Sequence, residues 1–196
     1  NLRLAVEAVG FQRFGDGWLG IVATPLFMNA VLAPVEPGAW NDIRDRAKAA
    51  SGPLERQRLL LALGAARDPA LAARTLELAL TQEIPATFAA NLIATVSSEH
   101  PELAFEFAVA HEGAVLDRVE ASSRWAFIPM LPANSADAAM AEKVQAYVER
   151  SVPPDARQAA AVAMAEIRFR ADVKARQQPA LEAWLRRAAA DGLPRS

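Results

Sequence analysis

Prolines at helix-start positions are the feature that most constrains the fold of this 196-residue chain. From residue 40 onward they recur in short turns, and each turn precedes a run rich in alanine and leucine. Proline is tolerated in the first turn of a helix but disfavoured further in, so this spacing predicts helices of roughly ten to fifteen residues joined by short turns. The turns are Ser51-Gly-Pro53, Asp68-Pro69, His100-Pro101 and Pro153-Pro-Asp155.

Apolar residues three or four apart within these runs predict which helix faces are buried. We expect one such face at Phe88, Leu92 and Val96, and another at Leu103, Phe107 and Ala110.

Polar and proline signals predict the helix ends near the C-terminus. We expect Ser135 to cap a helix that contains Val148, because serine accepts hydrogen bonds from the first helical N–H groups. The longest helix should open at Pro153 and reach about Gln178, where Pro179 interrupts it before a last short helix.

The first 37 residues differ in composition from the rest. Two β-rich runs flank Gly15-Asp-Gly17, an arrangement typical of a hairpin turn. No strict sequence repeat follows, although turn signals separate the helices at the short intervals that are typical of stacked helical hairpins. The sequence therefore predicts a β-hairpin-like N-terminal segment at 1–37 and, at 38–196, a mainly α fold, a degenerate HEAT-like stack of helical hairpins.

Part of the N-terminal segment resembles a known family. Its runs Val6-Glu-Ala-Val-Gly-Phe11, Trp18-Leu-Gly20 and Thr24-Pro-Leu-Phe-Met-Asn29 are similar to the start of the nickel–iron hydrogenase assembly chaperones, over about residues 2–34. The resemblance implies binding to a hydrogenase subunit. Its candidate client-binding residues are Trp18, Phe27, Met28 and Asn29. The alternative is an apolar hairpin that only packs against the rest of the protein.

A second resemblance covers about residues 38–188. It is carried in order by Arg56-Gln-Arg-Leu-Leu-Leu-Ala-Leu-Gly64, Arg67-Asp-Pro69, His100-Pro-Glu-Leu-Ala-Phe-Glu-Phe107 and Glu166-Ile-Arg-Phe-Arg170, leading to Trp184-Leu185. These runs resemble the end of the C-terminal domain of alanyl and puromycin-sensitive type zinc aminopeptidases. The resemblance implies a non-catalytic, HEAT-like cap that closes over a catalytic domain and shapes its peptide chamber. Zinc is then expected only in that separate domain.

Composition excludes several other classes of function. A formal net charge of −2 argues against a large electrostatic surface for nucleic acid. The absence of cysteine excludes a thiolate nucleophile and a cysteine-ligated metal. No apolar run is long enough to predict a membrane span. The compartment stays open between cytoplasm, periplasm and secretion, with the cytoplasm slightly favoured.

The pair His111-Glu112 invites comparison with the zinc motif H-E-x-x-H. Val115 occupies the second histidine position, and the third ligand of the aminopeptidase family would fall at Asn134. Valine cannot ligate a metal. We therefore predict no catalytic residue, metal ligand or cofactor site in this chain, and a two-histidine site with His100 is the weaker alternative.

Two groups of residues are candidates for lining the peptide chamber or docking on a catalytic domain. Arg168 and Arg170 belong to a basic cluster with Lys174 and Arg176. Glu166 and Asp172 lie four residues before Arg170 and Arg176, a spacing that predicts two ion pairs on the helix surface. The cluster is either a solvated helix face or a grip for a peptide carboxylate. Arg124-Trp125 resembles a polar–aromatic pair at a cavity wall, with a buried core tryptophan as the alternative.

Three functional hypotheses follow. The first is a non-catalytic cap segment of a zinc aminopeptidase, with a catalytic domain or a peptide as its partner. The second is a protein-binding chaperone of hydrogenase maturation. The third is a chimeric chain, joined near Pro34-Val-Glu-Pro-Gly38, that retains neither function.

Overall fold

The computed structural model describes the backbone of residues 37–190 and the side chains of 38–187. The predicted hairpin, with Trp18, Phe27, Met28 and Asn29, lies outside these residues. Within the described range every regular element is a helix, which confirms the mainly α fold. The chain divides into two compact units, one ending at His100 and the other beginning at Pro101.

Four helices form the described part of the first unit: α1 (Pro37–Ala49), α2 (Pro53–Gly64), α3 (Pro69–Ala79) and α4 (Ala86–Glu99). The starts of α2 and α3 follow the predicted proline signals, and Asp68 Oδ1 caps α3 by accepting from the N–H of Ala70 at 2.7 Å. α2 packs on α1, α3 and α4, and α3 packs on α4. The core includes the predicted face of α4, since Phe88, Leu92 and Val96 are all buried.

Trp40 fastens α1 to α3. Its side chain is 2% exposed, and the indole Nε1 donates to Thr75 Oγ1 at 3.0 Å. The hydroxyl of Thr75 in turn lies within hydrogen-bond distance of the Leu63 and Leu71 carbonyls. The guanidinium of Arg74 lies 4.1 Å from the Trp40 ring centroid, a cation–π contact. The indole N–H of Trp40 and the hydroxyl of Thr75 therefore both have hydrogen-bond partners inside an apolar core.

Five helices form the described part of the second unit: α5 (Pro101–Ala110), α6 (Glu112–Leu116), α7 (Arg124–Met130), α8 (Ala138–Ser151) and α9 (Gln158–Ala190). Short 3₁₀ turns occupy Ala121–Ser123, Leu131–Asn134 and Pro154–Ala156. α9 packs on α8, on α7 and on the turn after α7, and α5 packs on α7 and the same turn. Fully buried side chains of this core are Val115, Ile128, Met140, Val144 and Ile167.

The predicted buried face of α5 is wrong. Leu103 and Phe107 are half-buried and Ala110 is exposed, whereas the buried residues are Pro101, Ala104, Phe105 and Ala108. Almost every residue of α5 is apolar, so its sequence is compatible with two faces. The face with two alanines is buried, and small side chains let neighbouring elements approach closely.

Ser135 is not the cap of α8. Asp137 takes that role, because its Oδ1 accepts from the N–H of Ala139 at 3.0 Å. The buried Ser135 instead donates to Glu102 Oε1 and accepts from the N–H of Asp137. The serine therefore joins the start of α8 to the start of α5.

The predicted break at Pro179 is also wrong, because α9 is one helix of 33 residues with Pro179 inside it. Its buried residues, among them Ala163 and Ile167, lie in the first part, and no residue from Asp172 to Arg187 is buried. Water can bond the carbonyl that Pro179 leaves without a donor, so the proline is tolerated there. We call residues 172–187 the distal half of α9; at 1.5 Å per residue it is ~24 Å long.

Candidate functional site

Trp125 is 41% exposed on α7, so its interpretation as a core tryptophan is wrong. Its neighbour Arg124 is half-buried, and the Nε atom of Arg124 is buried without a hydrogen-bond partner among the described residues. Met130, at the end of the same helix, is 40% exposed. α7 therefore presents an aromatic and a flexible apolar side chain to solvent next to a guanidinium group.

The predicted basic cluster spans the end of the packed part of α9 and the beginning of its distal half. Arg170 Nε donates to the Ala133 carbonyl, in the turn after α7, at 3.2 Å. Its Nη2 lies 3.7 Å from Glu166 Oε2, and Arg176 pairs with Asp172, so both predicted ion pairs are confirmed. Arg168 is exposed, and Phe169 beside it is 63% exposed.

We use the name α7–α9 surface for the candidate side chains of these two helices together with the exposed Met130 and Phe169. It comprises side chains from two helices that pack on each other, with Arg170 joining them through the Ala133 carbonyl. Its members are Arg124, Trp125, Met130, Arg168, Phe169 and Arg170. Exposed aromatic and methionine side chains together with arginine are the combination enriched at protein interfaces.

A groove between α5 and α8 was not foreseen from the sequence. It has a volume of about 410 Å³. The Phe105 and Tyr147 rings form its floor, edge to face with centroids 6.1 Å apart. Val109, Ala110 and Ala146 line the walls. Tyr147, the one tyrosine of the chain, could have pointed to this groove. The contribution of Phe105 was missed because the sequence predicted a different buried face for α5.

Charged groups border this α5–α8 groove. Lys143 Nζ lies 2.6 Å from Glu106 Oε1 across it, and the Arg150 guanidinium lies 5.6 Å from the Tyr147 ring centroid. The Tyr147 hydroxyl donates to Glu112 Oε1 at 2.8 Å. Burial, and then this hydrogen bond, raise the pKa of Tyr147 above its ordinary value. The floor of the groove therefore stays uncharged at neutral pH.

The His111-Glu112 pair has structural contacts. His111 precedes α6, and its ring lies 4.5 Å from that of Phe107. Glu112 accepts the Tyr147 hydrogen bond, and Val115 is completely buried. The other histidine, His100, belongs to the first unit, where its Nε2 lies 2.9 Å from the Ala66 carbonyl. Over the side chains that the structure describes, no group of three or more His, Asp or Glu residues is arranged to hold a metal ion.

The first unit contains a cleft of about 450 Å³ between the α1–α2 turn and the start of α4. Arg56, Gln57 and Asn91 contribute polar groups to it. Arg56 Nη2 donates to the Glu83 carbonyl at 2.8 Å, so the guanidinium is engaged in holding the loop before α4.

Glu83 connects that loop to α1. Arg44 Nε and Nη2 donate to its two carboxylate oxygens at 2.9 and 2.6 Å, and Lys48 Nζ lies 3.3 Å away. The hydrogen bond from Arg44 is the main cause that lowers the pKa of Glu83. This bidentate pair is a structural connection between α1 and the chain after α3.

A model of the family described as the ERAP1-like C-terminal domain matches residues 23–169. The chain belongs to this family. The match confirms the resemblance to the C-terminal helical domain of aminopeptidases. It takes in α1 to α8 and the packed part of α9, and thus most of the described helices.

The comparisons give no support to the resemblance to hydrogenase chaperones or to a fused chain. The ERAP1-like match begins at residue 23 and so continues across Pro34 to Gly38, where a join was suspected. No curated protein matches the chain. In the part of this ERAP1-like domain that the structure describes, no helix has the length and apolar character needed to cross a membrane.

Proposed function

We propose that this ERAP1-like C-terminal domain is a non-catalytic cap that docks on the catalytic domain of a zinc aminopeptidase and walls its peptide chamber. The observation that carries the proposal is the family match over residues 23–169. Zinc and the residues that activate water then belong to the catalytic domain. The contacts of His111 and Glu112 support this division, because both are engaged in packing α6 against its neighbours.

The α7–α9 surface is the proposed contact of the cap. Trp125 and Phe169 are large apolar side chains that are 41% and 63% exposed. Burying the exposed part of each would contribute about 1 to 2 kcal/mol to association. The guanidinium of Arg168 supplies a donor fork for a carboxylate, either of the catalytic domain or at the end of a peptide in the chamber.

The test uses the catalytic fragment of an alanyl-type zinc aminopeptidase from which the helical C-terminal domain has been removed. The chain alone should hydrolyse neither an aminoacyl reporter nor a longer peptide. Added to the fragment, it should form a one-to-one complex in sedimentation velocity and lower peptide hydrolysis relative to hydrolysis of the small reporter. Zinc-dependent hydrolysis by the purified chain, or no complex with the fragment, would overturn the proposal.

Substitutions locate the contact. The double variant Trp125→Ala, Phe169→Ala should weaken the complex at least tenfold, because both apolar anchors are lost. Trp184→Ala is the matched control, since Trp184 is a similarly exposed tryptophan on the distal half of α9. If the control weakens the complex as much as the double variant, the contact lies elsewhere than on the α7–α9 surface.

A further inference from the structure

The cleft of the first unit contains a cationic side chain that lacks a counterion in the described part of the chain. Arg56 is half-buried on α2, where its Nη2 donates to the Glu83 carbonyl at 2.8 Å. Its Nε is buried without a hydrogen-bond partner among the described residues, and the Glu83 carboxylate is paired instead with Arg44 and Lys48. Desolvating a charge is unfavourable unless an opposite charge accompanies it. An anion bound in the cleft would therefore compensate Arg56.

Neutral hydrogen-bond donors line the same cleft. They are the side-chain amides of Gln57 and Asn91 and the hydroxyls of Ser51 and Thr87. None of these four side chains is hydrogen-bonded to another residue that the structure describes. Of the described residues that line the cleft, Arg56 is the only charged one, so no carboxylate there competes for these donors. The lining therefore favours an anionic ligand over a cationic one.

Two packed helices bring these donors together. Arg56 and Leu60 lie one turn apart on the same face of α2. Thr87 and Asn91 have the same spacing on α4, and α2 packs on α4. The buried side chains of Leu60 and Phe88 form the apolar floor. Neither helix has a side-chain cap at the end that borders the cleft, so main-chain N–H groups are further donors there.

We propose that this cleft binds a phosphate group, either inorganic phosphate or the phosphate of a small monoester. Arg56 donates from Nη1, which no described residue engages, while Gln57 and Asn91 donate from the α2 and α4 sides. A phosphate suits donors on two sides better than a carboxylate does, because it offers at least three acceptor oxygens instead of two. The volume of about 450 Å³ is that of a small-molecule site and leaves room for an organic group beside the phosphate.

Phosphate binding in this cleft does not depend on the proposed cap function. The cleft belongs to the first unit, whereas the α7–α9 surface belongs to the second. Loss of either activity therefore leaves the other to be measured separately.

The test measures binding to the whole chain by isothermal titration calorimetry in a buffer free of phosphate. Inorganic phosphate and phenyl phosphate are the probes, and benzoate is the carboxylate comparison. At least one phosphate probe should bind with a Kd of roughly 0.1 to 1 mM, and benzoate at least tenfold more weakly. Tighter binding of phenyl phosphate would identify a monoester as the ligand, whereas equal or tighter binding of inorganic phosphate would identify the free ion.

A pair of substitutions on α2 locates the site. Gln57→Glu places a carboxylate in the cleft beside Arg56 and should weaken phosphate binding at least tenfold. Arg58→Gln is the matched control, because it changes the net charge by the same amount at an exposed position that does not line the cleft. It should bind like the unchanged chain, and circular dichroism checks that both variants keep their helices.

Three results would overturn the proposal. The first is that neither phosphate probe binds the unchanged chain. The second is that benzoate binds as tightly as the phosphate probes, since the donors would then not select a phosphate. The third is that Gln57→Glu and Arg58→Gln weaken binding equally, because the effect would then come from overall charge and not from this cleft.

Discussion

Trp40 and Trp184 show how differently two regions of this chain use the same side chain. Trp40 is 2% exposed and is fixed by a hydrogen bond from α1 to Thr75 of α3. Trp184 is 54% exposed, and the hydrogen bonds around it join residues four apart within α9, such as Gln178 with Glu182. The first arrangement contributes to the stability of a unit, whereas the second leaves an apolar surface available to another molecule.

The largest expected effect follows from replacing these two tryptophans. Trp40→Ala should lower the free energy of unfolding by about 3 to 5 kcal/mol, because a buried aromatic is lost and a cavity remains. Trp184→Ala should change it by less than about 0.5 kcal/mol at low protein concentration. Urea titrations followed by circular dichroism measure both. Equal losses would show that the two regions do not differ as described.

A pair of glycines tests how closely the helices of the first unit approach. A Cβ added at Gly64 would lie 3.0 Å from Thr95 and 3.2 Å from Leu92, both on α4. Gly64→Ala should therefore destabilise the chain by about 1 to 3 kcal/mol. Gly113→Ala is the control, because nothing lies within 4 Å of its Cβ, and it should stabilise α6 by up to about 1 kcal/mol. Thermal unfolding distinguishes the expected loss of stability in Gly64→Ala from the expected gain in Gly113→Ala.

The Arg44–Glu83 pair makes part of the stability of the first unit depend on pH. The folded state lowers the pKa of Glu83, so its contribution is complete above the unfolded pKa and is lost as the pH falls through the folded value. Glu83→Gln should cost about 1 kcal/mol near neutral pH and progressively less below the ordinary value of 4.5. Urea midpoints at several pH values measure this, with the exposed Glu77→Gln as control.

The smallest global effect is expected in the distal half of α9. Pro179→Ala removes a helix breaker, so amide hydrogen exchange between residues 172 and 187 should slow several-fold. The free energy of global unfolding should change by less than about 0.5 kcal/mol, since no side chain of this segment is buried. A clear shift of the global transition would mean that the distal half is packed more tightly than its exposure indicates.

Most helix starts were predictable because the signals that set them are local, although the expected start of α9 at Pro153 is wrong: Pro154–Ala156 is a 3₁₀ turn and the helix begins at Gln158. Pro53, Asp68 and Pro101 act on the N–H groups and dihedral angles of their own first turn, whatever the rest of the chain does. Ser135 shows the limit of this argument. It has the chemistry of a cap, but the hydrogen bond to Glu102 and the presence of Asp137 two residues later give it another role.

Buried faces and exposed anchors were harder to predict because they depend on distant residues. The sequence of α5 is compatible with two faces, and only packing on α7 and the following turn selects Ala104 and Ala108. Trp125 has a large apolar side chain of the kind that is usually buried in a core, yet it is 41% exposed. Of the candidate site, the ion pairs of α9 were predictable from i to i+4 spacing, and the α5–α8 groove was not.

The contact of His100 with the Ala66 carbonyl determines which ring nitrogen of His100 carries the hydrogen. A carbonyl oxygen can only accept a hydrogen bond, so Nε2 must carry the hydrogen and Nδ1 the lone pair in the neutral ring. The Nε2 lone pair is then absent, so this nitrogen cannot ligate a metal ion while it donates to Ala66. The end of α4, the last helix before the second unit begins at Pro101, is therefore held by a donor whose only role is structural.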